Sequence, residues 1–78
     1  MASIDIAGTL SRREKQVLEL ASEGLTNAQI AQRLGLSVHS IKFHLATVFR
    51  KLGVANRTEA AALFFRAGRS ADVVNSTP

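Results

Sequence analysis

Only three residues, Gly35-Leu36-Ser37, separate two stretches that each carry a helical apolar period, and nothing else in the chain limits its fold as tightly. A glycine turn this short makes the flanking helices cross steeply, which is the helix-turn-helix arrangement. Similar punctuation runs through the chain. Gly24, Gly35, Gly53 and Gly68 each follow a periodic segment, and Ser11, Thr26, Ser37 and Thr58 each open one as an expected N-cap. Ser11 with Glu14, and Thr26 with Gln29, have the spacing of capping boxes. The pattern predicts an all-α chain with helices at about 12–22, 27–34, 38–52 and 59–67. The one proline, Pro78, breaks none of them, and strand alternation is weak. Residues 1–10 read as an N-terminal arm or linker, 11–68 as the folded domain, and 69–78, "RSADVVNSTP", as a flexible polar tail.

Seventy-eight residues build one small domain at most, with a modest core. With no cysteine, neither a disulfide nor a thiolate metal site adds stability. The fold must rest on packed apolar side chains, which supply 46% of the composition, or on a partner subunit. No apolar run approaches the roughly 20 residues of a bilayer span, and no signal-peptide pattern opens the chain. A cytoplasmic location with no membrane partner is therefore expected. A net charge of +4 and a pI near 10.8 allow an anionic partner without establishing one.

The charge is unevenly spread. No acidic residue occurs between Glu23 and Glu59, whereas Arg33, Lys42, Arg50, Lys51 and Arg57 all fall inside that gap. In the third helix Ile41, Leu45, Val48 and Leu52 recur at i, i+4, i+7 and i+11 and mark the buried stripe. At 100° per residue the opposite side carries His39, Phe43, Ala46 and Arg50, flanked by Lys42 and Thr47. A basic, hydroxylic face without carboxylates suits a DNA major groove, where any carboxylate would be repelled by phosphate. Phe43 is unusual on an outer face. It suits contact with a thymine methyl, or else a groove between helices or a partner protein. Arg50 and Lys51 lie late in the helix, where their charges suit the helix dipole and a DNA-backbone contact.

Other chemistry finds little support. His39 and His44 are five apart and point about 140° from one another, so they do not share a metal ion. His44 borders the buried stripe and is expected as a hydrogen-bonded structural histidine, with His39 in the first turn as a DNA contact. No motif places a nucleophile beside a base and an orienting acid. The expectation is a non-enzyme with no metal, no cofactor and no small-molecule ligand in this domain. In the fourth helix Ala60, Leu63, Phe64 and Ala67 share the core arc. Thr58, Ala61, Ala62 and Phe65 share the opposite one and form an expected dimer interface, unless the N-terminal segment or the tail folds over it.

Five short motifs together carry a resemblance: "LSxRE" at the start, "GLTNxxIA", "LSxxSIKxH", "KLGV" and "NRTEAA". From Leu10 to Ala67 the chain resembles the LuxR/FixJ-type (GerE-like) DNA-binding domain of bacterial transcription regulators. The resemblance implies a four-helix fold in which the third helix reads DNA and the fourth is a dimer contact. It implies phosphate contacts for Thr26, Asn27 and Ser37, and places Ser40, Lys42, Phe43, Ala46 and Thr47 toward the groove. It also implies a separate N-terminal sensing domain, phosphorylated or ligand-binding according to subgroup. Arg12 stands where the family commonly has proline, and Ser40 where it has threonine. Ala46 and Thr47 are shorter than many counterparts, which leaves Lys42, Phe43 and His39 more of the base contact.

Three readings compete. One is a DNA-binding effector domain, dimeric on double-stranded DNA. Another is a protein-interaction module that grips RNA polymerase or another regulator. The last is a recognition piece of a sigma-like factor. The acid-free stretch favours the first and third, and the apolar outer arc of the fourth helix favours the first.

Overall fold

Each of the four longer helices starts on a side chain that accepts a hydrogen bond from the backbone three residues on. Ser11 Oγ accepts from Glu14 N, Thr26 Oγ1 from Gln29 N, Ser37 Oγ from Ser40 N, and Asn56 Oδ1 from Glu59 N. These caps satisfy backbone N–H groups that a helix start leaves without an internal partner. At Ser11 and Thr26 the bond is reciprocated, with the Glu14 and Gln29 side chains each accepting from the cap's own N–H at 2.8 Å.

The computed structural model describes residues 6–69, so the first half of the expected arm and the tail from residue 70 lie outside the described residues. The elements are a one-turn helix α1 (Ile6–Thr9), then α2 (Arg12–Ser22), α3 (Asn27–Leu34), α4 (Val38–Leu52) and α5 (Arg57–Phe64). A π-helical stretch, Phe65–Arg69, continues directly from α5. The described residues contain no strand, as the all-α reading expected.

Three departures from the sequence pattern are local. Thr58 does not cap α5; Asn56 does, in extended conformation, and Ala55 N adds a 2.7 Å bond to Glu59 Oε1. An asparagine carbonyl caps as well as a hydroxyl, and the helix therefore begins at Arg57, ahead of Thr58. Gly68 ends no α-helix but lies inside the π-helical stretch, while Gly24, Gly35 and Gly53 follow α2, α3 and α4 with φ of +96°, +70° and +71°. The expected arm also ends differently, because Ile6–Thr9 forms a helical turn beside α4 and Leu10 is buried in the core.

The core forms two lobes joined along α4. Ile41 and Leu45, in its first half, pack with Val17, Ala21, Ile30 and Ala31 of α2 and α3. Val48 and Leu52, in its second half, pack with Leu10, Leu18 and Ala60, and Leu63, Phe64 and Ala67 cover this lobe from the α5 side. Phe49 packs against both lobes. The predicted buried stripe of α4 is thus buried throughout, with each of its four members at most 5% exposed. Fixing both halves of α4 in this way holds the opposite face outward.

Candidate nucleic-acid interface

The outward face of α4 is open. His39, Lys42, Phe43, Ala46 and Arg50 are all exposed, and Phe43 is 67% exposed. A phenyl ring so far in water is stabilised by little of the protein, although its edge meets the half-buried His44 ring at a centroid distance of 6.2 Å. No hydrogen bond to His44 is seen among the described residues, in contrast to the structural role expected of it. At the start of α4 the Ser37 hydroxyl donates to Ser40 Oγ at 3.0 Å while accepting from Ser40 N, so the two hydroxyls form one polar corner. Such helix starts concentrate backbone N–H donors and positive dipole, and favour anions.

The start of α3 lies on the same helix-turn-helix unit. Thr26 is exposed and committed to its capping box, and Asn27 is half-buried. Asn27 Oδ1 accepts from Nη2 of Arg57, whose Nη1 donates to Leu25 O at 2.9 Å. Of the five basic residues in the acid-free stretch, Arg57 is therefore drawn inward by these bonds. Lys51 is also engaged, through a 2.9 Å ion pair from Nζ to Glu14 Oε1. Arg33, Lys42 and Arg50 are exposed without an ion-pair partner among the described residues. Within the acid-free stretch, the exposed unpaired charge thus lies on α3 and the outer face of α4.

Residues 8–64 match the family described as bacterial regulatory proteins, luxR family. The chain belongs to that family. It is a LuxR-type helix-turn-helix domain, a DNA-binding module of transcription regulators. The domain is 42% identical over 62 residues to a probable transcriptional regulatory protein, SgaR, of Hyphomicrobium methylovorum, covering 80% of this chain and 29% of that protein. It is 41% identical over 61 residues to a nitrate/nitrite response regulator protein homolog of Haemophilus influenzae, covering 78% and 29%. The transcriptional activator protein EsaR of Pantoea stewartii subsp. stewartii is 49% identical over 53 residues, covering 68% and 21%. The chain therefore spans less than a third of the length of each of these relatives.

Two of the expected contacts do not lie on the open face of this LuxR-type domain. Thr47 is 9% exposed and buried, and Lys51, one turn on, is held by Glu14. Thr47 and Lys51 are one turn apart on the same flank of α4, and the Glu14 pair brings α2 to that flank, which a wheel drawn for α4 alone does not reveal. Glu14 is itself 8% exposed, and its carboxyl is held below the usual glutamate range. The Ser11 N–H bond is the largest cause and the Lys51 ammonium the next. The inward bonds of Arg57 are hidden from the sequence in the same way. Its acceptors lie 30 and 32 residues earlier, and no spacing rule connects them. Of the residues expected at the dimer interface, Thr58 is exposed and Ala61 and Ala62 are half-buried in α5, and Phe65, exposed, is the first residue of the π-helical stretch. Among the described residues no group of three histidine or acidic side chains could hold a metal ion, and no helix is long and apolar enough to cross a membrane.

Proposed function

We propose that the chain is the effector domain of a transcription regulator and binds double-stranded DNA sequence-specifically, with α4 in the major groove. The observation that carries this reading is the exposed outer face of α4, which is basic, carboxylate-free and held outward by core contacts along the whole helix. The major groove admits a helix, and its base edges distinguish all four base pairs. Phe43 and His39 contact bases, Phe43 through a thymine methyl, and the Lys42 ammonium meets a base or a phosphate. Ser40 and Ala46 line the same face, and Arg50 meets the DNA backbone. Thr26, Asn27 and Ser37, at the starts of α3 and α4, meet phosphates. Contacts of the latter kind set register and affinity, and base contacts set specificity.

Dimerisation on DNA uses the outer arc of α5, with Thr58, Ala61, Ala62 and Phe65 meeting their copies across a two-fold axis. The patch is small, so association is weak in free solution and firm only on DNA. Two copies of α4 would then read half-sites roughly one helical turn apart.

Selection of binding sites from a random duplex pool, at low and at raised salt, tests the reading. A two-half-site sequence is expected to be enriched, with affinity falling linearly in the logarithm of salt. Recovery of an unenriched pool would contradict it and support instead an interaction module that engages RNA polymerase.

A further inference from the structure

Arg57 is the first residue of α5, yet its guanidinium reaches across the domain to the start of α3. Nη1 holds Leu25 O and Nη2 holds Asn27 Oδ1. These three residues, with Gly24, Thr26 and Ala28, line an open depression of about 560 Å³. A guanidinium only donates hydrogen bonds, so the amide atom that faces it has to be the oxygen. The Asn27 amide is thereby given a direction. Its oxygen is committed to Arg57, and its Nδ2 group, with two N–H donors, is left for another acceptor. A phosphate only accepts, so an amide with this orientation suits it and the flipped amide repels it.

We propose that Arg57 is a positioning residue for DNA-backbone binding, orienting the Asn27 amide so that Nδ2 donates to a phosphate oxygen beside the start of α3. The proposal rests on the reading of Asn27 as a phosphate contact. It gives the inward-drawn arginine of the acid-free stretch a part in binding without any contact of its own with DNA. It also ties the α3 contact to the helix that carries the dimer patch. Lysine is no substitute at this position, because it keeps the charge but lacks the planar fork that holds two acceptors at once.

The test uses the 78-residue chain with a mixed-sequence duplex, comparing Arg57→Lys, Asn27→Ala and the double variant by equilibrium binding at several salt concentrations. Each single variant is expected to weaken binding about threefold to tenfold, whatever the sequence, as suits one lost hydrogen bond. The Arg57→Lys salt slope stays at the wild-type value because the charge is retained, and the double variant binds no more weakly than Asn27→Ala alone. Additive losses in the double variant, or wild-type affinity of Arg57→Lys, would overturn the positioning role while leaving the Asn27 contact standing. Wild-type affinity of Asn27→Ala would overturn the phosphate contact and the positioning role with it. Should Arg57→Lys fail to fold, the side-chain amide resonances of Asn27 in the wild-type protein decide. They are expected to shift on DNA addition, and resonances that stay in place would overturn the proposal.

Discussion

Helices α4 and α5 both lie against α2, but they divide their surfaces differently. In α4 the inner stripe is at most 5% exposed while Phe43, opposite, is 67% exposed. In α5 only Ala60 is buried, and Ala61, Ala62, Leu63 and Phe64 are all half-buried. Size and length account for the contrast. Branched side chains over 15 residues give α4 a deep apolar ridge and a distinct outside. In the eight-residue α5 only Ala60 is wholly in, and the two alanines after it project too little to be wholly in or wholly out. An outward face is therefore sharply defined on α4, where DNA is proposed to lie. On α5 it is a shallow apolar surface, suited to close approach by another helix.

The contrast can be broken most severely at the inner stripe. Ile41→Ala or Leu45→Ala is expected to lose about 2–5 kcal/mol of stability, read by chemical denaturation, because each truncation leaves a cavity in the lobe formed with α3. Lys42→Ala, on the outer face, should leave stability unchanged. It should lower specific affinity by about 1–3 kcal/mol if the ammonium reaches a base, or lower the salt slope by about one if it meets a phosphate. Unchanged affinity and slope would remove Lys42 from the interface. Phe43→Ala should relax preference at a single thymine-containing base pair and leave the other positions intact. An unaltered site preference would make the ring a protein contact only.

The α5 side of the comparison is sharpened by Phe65→Glu. Binding to DNA with two half-sites should lose cooperativity, while a single half-site is bound as before; retained cooperativity with an intact fold would sink the α5 dimer. The smallest effect expected is on pH dependence. Because the Glu14 carboxyl is held below its ordinary range in the folded chain, its contribution is present above the ordinary glutamate value and is lost as pH falls through the lower, folded-state value. Thermal midpoints should thus fall less steeply on acidification in Glu14→Gln than in the parent, and parallel curves would show that Glu14 contributes little to acid sensitivity.

Much of the fold was legible because its signals are local. The caps at Ser11, Thr26 and Ser37 and the left-handed Gly35 and Gly53 each act within a few residues, and the α4 stripe is a single helical period. The cap at Asn56 is masked in the sequence by the hydroxyl two residues on, at Thr58. The π-helical continuation from Phe65 has more residues per turn than the 100° step assumes, so the wheel loses its meaning there. The candidate site was legible only in part. Opposition to the buried stripe located His39, Phe43, Ala46 and Arg50 on the exposed side. Which flank is covered depends on where α2 comes to rest, and the Glu14–Lys51 pair that marks it joins residues 37 apart. The burial of Thr47, the Glu14 pair of Lys51 and the inward bonds of Arg57 all depend on such long-range packing.

Methylation interference on a selected duplex tests the groove assignment most directly. Guanine N7 lies in the major groove and adenine N3 in the minor groove, so the two lesions report on different faces of the same site. Insertion of α4 into the major groove predicts that N7 methylation within each half-site abolishes binding while N3 methylation there is tolerated. The reverse pattern, with N3 lesions blocking binding and N7 lesions tolerated, would contradict the placement of α4.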